Sequence, residues 1–387
     1  MNIIFFSHPT FIGHQSMPRY TQMLNKGLKK NGYSTEVWSP TTIASSLPAP
    51  KTLKKWLGYI DQYIFFPLRV KMKLRNVNKN TLFVFTDNAL GPWVPLVKKY
   101  KHVIHCHDFL AQRSAFEGIE ENSTGYTGKL YQKMIRNGYS QGKNFISVSK
   151  KTQTDLHRLL GFTPKISQVV YNAMNRSFSP QPIADTRILL TELTGISLTG
   201  GYLLHVGGNQ WYKNRTGIIE IYDQLRLRFK LEIPLLLIGT APDEKLKNLI
   251  SASPFHKDIH CLSNCTDEMV KNAYAGASLL LYPSLDEGFG WPIAEAMASG
   301  CPVITTNQPP MTEVGEKAAF YISKRPTKNN VEKWAFEASS VVHKVLTLTP
   351  ENRNKIVSLG LKNVERFEQE KMIGQLDQLY RQILSQP

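Results

Sequence analysis

The stretch Pro283-Ser-Leu-Asp-Glu-Gly-Phe-Gly-Trp-Pro-Ile-Ala-Glu-Ala-Met-Ala-Ser-Gly-Cys-Pro-Val-Ile-Thr-Thr306 decides the reading of this chain. Just before it, Leu279 to Tyr282 is a short apolar run suited to a buried parallel strand. Gly288 and Gly290 then free the backbone near a ligand position. Pro292 suits the first position of a helix, where a missing N–H costs nothing. Ile293, Ala294, Ala296, Met297 and Ala298 favour helix, Gly300 stops it, and Pro302 to Thr305 opens the next strand. A glycine loop running into a helix presents N–H groups that attract phosphate. Two carboxylates bracket it, Glu287 before the glycines and Glu295 in the first turns of the helix. Taken alone, such a pair reads as surface acids. The strand, the glycines and Pro292 around them point to a site instead.

Working outward, the segment resembles the Glu-x7-Glu signature of retaining glycosyltransferases of the GT-B fold, glycosyltransferase family four. That family's pattern is close to Pro-Ser-x-x-Glu-Gly-Phe-Gly-x-Pro-x-x-Glu-Ala-Met-Ala-x-Gly-x-Pro-Val, and nearly every specified position is present here. A bare Glu-x7-Glu would carry no weight. The resemblance implies an α/β chain of two doubly wound Rossmann-like domains facing across a cleft, with a C-terminal helix crossing back to the first. The expected spans are 1–180 for the acceptor-side domain, 181–366 for the nucleotide-sugar domain and 367–387 for the returning helix.

A chain of 387 residues is long enough for two such domains. Its composition is that of a soluble globular protein, and no apolar run approaches the roughly 20 residues of a membrane span. The N-terminus enters a strand without a basic leader, so no signal peptide is expected. Cys106, Cys261, Cys265 and Cys301 are few and scattered, which reads as free thiols in a reducing cytoplasm and not as zinc ligands. The net charge of +17 favours anionic partners. Zinc-finger spacing, basic heptads and RNP-like aromatics are all absent from the sequence, so nucleic acid is not the expected partner.

In chain order, Asn2 to Phe6 and Thr35 to Trp38 read as strands around a loop from Ser7 to Arg19 and a helix from Tyr20 to Lys30. Family members carry paired glycines in that first loop. Here Gly13-His14-Gln15-Ser16 stands instead, with Gly13, His14 and Ser16 as candidate contacts on the acceptor side. Residues 51–79 set eight basic residues against Asp61 alone, interleaved with aromatics such as Trp56, Tyr59 and Tyr63. This suits either a peripheral contact with an anionic membrane at the cytoplasmic face or an ordinary packed helix. Strands are expected at Leu82 to Phe85 and Val103 to His105. His107 beside Asp108 matches the family's His-Asp after the latter strand, where the histidine lies near the reacting sugar. His105 falls on the opposite face and reads as structural. Gln168 to Pro180 resembles the interdomain crossover, and the polar run to Thr199 completes the boundary.

The second half opens with Tyr202-Leu-Leu-His-Val-Gly-Gly208 and Asn209-Gln-Trp-Tyr-Lys-Asn-Arg215. The family counterpart carries Arg-Lys-Asn; Lys213 and Asn214 match, and Tyr212 replaces the arginine, for which Arg215 or Asn209 can compensate. By resemblance, Gly208, Asn209, Lys213, Asn214, Glu287, Gly288, Phe289, Gly290 and Glu295 hold the donor. Lys213 and the helix start meet the diphosphate, Glu295 the ribose and Glu287 the donor sugar, so His107, Glu287 and Lys213 form the catalytic set. Front-face attack by an acceptor hydroxyl is implied, with no covalent nucleophile, no cofactor and no metal, since Asp-x-Asp is absent. The implied reaction moves a hexose from a nucleotide-sugar to a glycan or lipid-linked acceptor in surface polysaccharide or glycolipid synthesis. The alternatives are a sugar-nucleotide epimerase of the same fold, a basic non-catalytic binding protein, and a dinucleotide-dependent dehydrogenase. The last is disfavoured because Ile293 stands at the third glycine of its fingerprint.

Overall fold

The computed structural model describes residues 2–12, 16–174 and 177–386. They form two α/β units, residues 1–172 with 370–387, and residues 173–369. The first sheet contains β1 (Asn2–Phe6), β2 (Ser34–Trp38), β3 (Thr81–Phe85), β4 (His102–Cys106), β5 (Asn144–Ser147) and β6 (Ile166–Val169). All its pairings are parallel, in the order β2-β1-β3-β4-β5-β6. The second contains β7 (Leu203–Val206), β8 (Leu235–Ile238), β9 (Ile259–Leu262), β10 (Leu279–Tyr282), β11 (Val303–Thr306) and β12 (Ala319–Ile322), again parallel, ordered β12-β11-β10-β7-β8-β9. The central strands are short apolar runs because helices cover both faces. Each sheet reverses its strand order once, between β1 and β3 in the first and between β7 and β10 in the second. Ligands of open α/β sheets settle outside the carboxyl ends of strands at such reversals.

The core of the first unit gathers around Phe6. Its ring stacks on Phe85 at 4.6 Å and meets Trp38 and Phe66 edge-on at 5.8 and 5.9 Å. The second core is aliphatic, with Leu203, Ile218, Leu235, Leu237, Leu279 and Leu281 all buried. The Gln369–Ser385 helix buries Met372, Ile373, Leu376, Tyr380 and Ile383, and residues 370–387 count with the first unit. Gly27, on the Ser16–Lys30 helix, makes room for Ile373, whose side chain would lie 2.7 Å from an added Cβ. Tyr380 and Tyr20 bond the two ring nitrogens of buried His105 at 2.7 and 2.8 Å. Burial pushes the His105 imidazole down to about 3, so it stays neutral.

Several elements differ from the sequence reading. The first helix starts at Ser16, not Tyr20, because Pro18 falls in its first turn, where a proline removes no helical hydrogen bond. Gln168 and Val169 end the edge strand β6 before the chain leaves the sheet. The polar run after Pro180 is no open linker: Ile183–Thr194 is a helix. Its Arg187 donates to the Gly276 carbonyl, and the Gly195 turn beyond it has a φ of +70°. The helix that its sequence suggests over Glu351 to Glu368 runs from Pro350 to Val364 and tightens into a 3-10 turn, Glu365–Phe367. The chain passes to the second unit at 173 and not at 181. There the Met174 N–H donates to the Phe367 carbonyl and Phe178 packs edge-on against Tyr274. The four cysteines are free.

Candidate active site

In the second unit the loops after β7 and β10 flank the strand-order reversal and hydrogen-bond to each other. The Tyr212 carbonyl accepts from the Leu285 N–H at 2.7 Å and from the Ser284 hydroxyl at 2.9 Å. Asn214 adopts a left-handed conformation, caps the Arg215–Phe229 helix through the Gly217 N–H and donates to the Pro283 carbonyl. This join brings Lys213 to Glu287. The Lys213 ammonium donates to Glu287 Oε1 at 2.8 Å and to the Tyr282 hydroxyl at 2.7 Å. The Tyr282 and Ser284 hydroxyls add their own bonds to the same Oε1, at 2.5 and 2.6 Å. Three donors thus hold one oxygen of a buried carboxylate. The other oxygen has no partner among the described residues.

Gly290 takes a φ of +103° and caps the Trp291–Ala298 helix, with Pro292 in its first turn. Phe289 is buried between Trp291 and Phe367, at 5.5 and 5.2 Å. Glu295, one turn in, receives the Tyr274 hydroxyl at 2.9 Å. Burial pushes its carboxyl up to about 7, against the Tyr274 bond and the Lys213 charge, with Asp267 adding to the rise. The protonation of Glu295 is therefore responsive to any donor that favours its charged form.

Gly208 and Asn209 follow β7. Asn209 donates to the Ala241 carbonyl at 2.6 Å and accepts from Arg215 at 2.6 Å, while Arg215 also donates to the Thr240 carbonyl. Arg215 is buried, with Nε and Nη2 unpartnered. It ties the ends of β7 and β8 together through Asn209 and the Thr240 carbonyl. Gly239 makes that approach possible, since an added Cβ would lie 2.0 Å from the Gly207 carbonyl.

In the first unit, His107 sits past β4. Its N–H donates to Asn88 Oδ1 and its Nε2 lies 3.0 Å from the Thr86 carbonyl, so that nitrogen carries the hydrogen. Tyr20 packs edge-on at 4.6 Å. Burial lowers the imidazole's pKa despite the nearby Asp87 charge. Ser16 opens the first helix and is exposed, whereas Gly13 and His14 lie outside the described residues. The structure thus brings Lys213, Asn214 and Glu287 together and places Glu295 in the adjoining helix. Among the described residues no group of three His, Cys, Asp or Glu is placed to hold a metal ion.

Sequence reasoning missed the groups that hold the carboxylates. Ser284 was within reach, being three residues before Glu287 in the same turn. Tyr282 at the strand end and Tyr274 on the preceding helix carried no local signal. It also missed the pairing of His8 with Asp87, 79 residues apart and 2.8 Å from one another.

The profile described as "Glycosyl transferases group 1" matches residues 192–335, and that described as "Glycosyltransferase Family 4" matches residues 17–178. Among curated relatives, O-antigen chain mannosyltransferase B of Escherichia coli is 28% identical over 188 residues, 48% of this chain and 49% of the relative. The chain thus spans about half the length of that protein. O-antigen chain mannosyltransferase RfbU of Salmonella typhimurium is 24% identical over 302 residues, 78% of this chain and 75% of the relative. Among solved structures, Anabaena HepE in complex with UDP and glucose superposes with a TM-score of 0.70 at 15% identity, covering 98% of this chain and 99% of that one. The sucrose-phosphate synthase of Thermosynechococcus elongatus gives 0.72 at 16%, covering 100% and 99%. Two adjoining profiles, two six-stranded parallel sheets and the same architecture along the whole chain agree: this protein belongs to the group 1 glycosyltransferases of the GT-B fold.

Proposed function

We propose that the protein transfers a hexose, with retention, from a nucleotide-sugar to a hydroxyl of a glycan or lipid-linked acceptor in surface polysaccharide or glycolipid synthesis. The observation that carries this reading is the Lys213–Glu287 cluster at the strand-order reversal, beside a glycine-started helix. A donor diphosphate placed there meets the Lys213 ammonium and the positive end of the Trp291–Ala298 helix, both of which stabilise charge as it leaves. Glu295 accepts the ribose hydroxyls, and the open oxygen of Glu287 accepts a hydroxyl of the donor sugar. The acceptor oxygen bonds to the anomeric carbon on the face that the diphosphate leaves, and the acceptor's proton passes to a phosphate oxygen. His107, bonded through Nε2, offers its other ring nitrogen to the sugar. The reaction is proposed to need no metal. Curated relatives named as mannosyltransferases make mannose the first sugar to try.

The test is the thermal shift of the protein with UDP, GDP, ADP and their sugars, with and without EDTA. One nucleotide should raise the melting temperature regardless of EDTA, and Glu295→Ala should abolish the rise. No shift with any of them would sink the reading.

For the acceptor's setting, we propose that residues 51–79 rest on an anionic membrane. Trp56, Ile60, Ile64, Leu68 and Met72 recur every fourth residue along the Lys51–Ile60 and Phe66–Leu74 helices and the π turn between them. Trp56, Ile64, Leu68 and Met72 are more than half exposed. Lys54, Lys55, Arg69, Lys71 and Arg75 are exposed as well, which suits an interfacial helix. No helix among the described residues is long and apolar enough to cross a membrane. The protein should sediment with phosphatidylglycerol vesicles at low salt, and Trp56→Ser with Leu68→Ser should release it. Sedimentation equal to that with neutral vesicles would refute the contact.

A further inference from the structure

The first sheet reverses its strand order between β1 and β3, and two side chains meet just past those strands. His8 Nε2 lies 2.8 Å from Asp87 Oδ2, while Asp87 Oδ1 accepts the Ala89 N–H. Burial would raise the Asp87 carboxyl, but the hydrogen bond from His8 brings it below its usual range. An ionised carboxylate only accepts, so His8 Nε2 carries the hydrogen, and in the neutral imidazole Nδ1 keeps its lone pair.

A cavity of about 200 Å³ opens beside this pair, lined by His8, Tyr59, Gln62, Tyr63, Trp93 and Tyr131 among others. The Tyr59 ring is 6.0 Å from both Tyr63 and Tyr131, whose hydroxyls bond at 2.9 Å. A π turn, Asp61–Phe65, carries Tyr63 in the middle of a helical run. Such turns concentrate at functional sites. This one is held on both sides. Asp61 accepts the N–H groups of Ile43, Ala44 and Ser45, and the Gln62 carbonyl accepts the Trp93 indole N–H at 3.0 Å.

We propose that this cavity binds one sugar ring of the acceptor. The apolar C–H face of the ring lies on the tyrosines, and one hydroxyl donates to His8 Nδ1. Aromatic walls with an oriented histidine among them suit a pyranose, which is apolar on its faces and polar at its edge. The volume falls below the roughly 300–1,000 Å³ of drug-sized sites, which suits a single ring. His8 is a positioning residue, and Asp87 holds its tautomer. The inference rests on the glycosyltransferase reading above.

The experiment is saturation-transfer NMR on the full chain with the methyl glycosides of mannose, glucose, galactose and N-acetylglucosamine. At least one should bind the wild type. Tyr131→Ala, which opens the cavity, and Ala89→Leu, which fills it, should each cut the signal at least fivefold. His8→Ala should raise KM for that glycoside at least tenfold while changing kcat less, and His8→Gln should recover part of the loss. The nucleotide-induced thermal shift should persist in all four variants, which also reports that they are folded. Binding of no glycoside, or equal binding by folded variants, would overturn the cavity assignment while leaving donor binding intact. Absence of any nucleotide shift in the wild type would overturn the glycosyltransferase reading, and the acceptor role with it.

Discussion

Glu287 is held by Lys213, Tyr282 and Ser284 through one oxygen, which fixes the direction of the other. Glu287→Gln keeps the shape and removes the charge that Lys213 answers. Initial rates should fall about 10²-fold or more while the nucleotide thermal shift remains. An unchanged rate would remove Glu287 from the reacting centre. Glu295 supplies a pH signature. Its folded pKa of about 7 lies above the ordinary value of 4.5, so the folded state holds a proton that the unfolded chain has lost between those values. The stability this contributes is complete below 4.5 and is lost as pH rises through about 7. With Glu295 holding the ribose hydroxyls as proposed, nucleotide Kd should rise toward tenfold per pH unit below 7. Calorimetric titration from pH 5.5 to 8.5 should give that slope in the wild type and none in Glu295→Gln. Glu287 and Glu295 were legible in the sequence because their motif is local, and Lys213 because it follows a strand and a glycine pair. The hydroxyls that set their state were not, apart from Ser284, because Tyr274 and Tyr282 reach them only through packing.

At the scale of elements, the second site depends on how closely the ends of β7 and β8 approach. Gly239 has a φ of +143°, and its missing Cβ would strike the Gly207 carbonyl. Gly239→Ala should cost about 2–4 kcal/mol in urea unfolding and weaken nucleotide binding, because Asn209, Arg215 and Thr240 share that junction. A loss below half a kcal/mol would mean that the loops yield freely. The strands themselves were readable because a parallel strand buried on both faces is a short apolar run between glycine or proline stops. The Ile183–Thr194 helix was not, since its sequence leaves Ile183, Ile188, Leu189 and Leu193 exposed and blurs the helical stripe. The π turn was also hidden. Its extra residue is stabilised by Asp61 bonding a loop some 17 residues earlier and by an indole from a later element.

At the scale of the molecule, the first unit is closed by the last helix of the chain. Five buried side chains from Met372 to Ile383 each contribute about 1.5–3 kcal/mol of apolar burial, and Tyr33 donates to Asp377. Removing residues 370–387 should lower the melting temperature by at least 10 °C and expose the first unit to limited proteolysis. Tyr380→Phe should be milder, costing about 1–3 kcal/mol for a His105 nitrogen left unpaired in the core. An unchanged melting curve after the truncation would mean that the helix is dispensable.

The sequence by itself determined every strand but β6, the amphipathic last helix, the glycine-loop motif and the family, because each is written in residues near one another. Periodicity, glycine stops and a helix-opening proline act within a few residues. Only the tertiary structure decided that His8 meets Asp87, that Tyr20 and Tyr380 share His105, and that Lys213 reaches Glu287. Those pairs depend on which strands lie side by side and in what register. Parallel neighbours are joined by long crossovers, so the partners are far apart in the chain and no local pattern marks them.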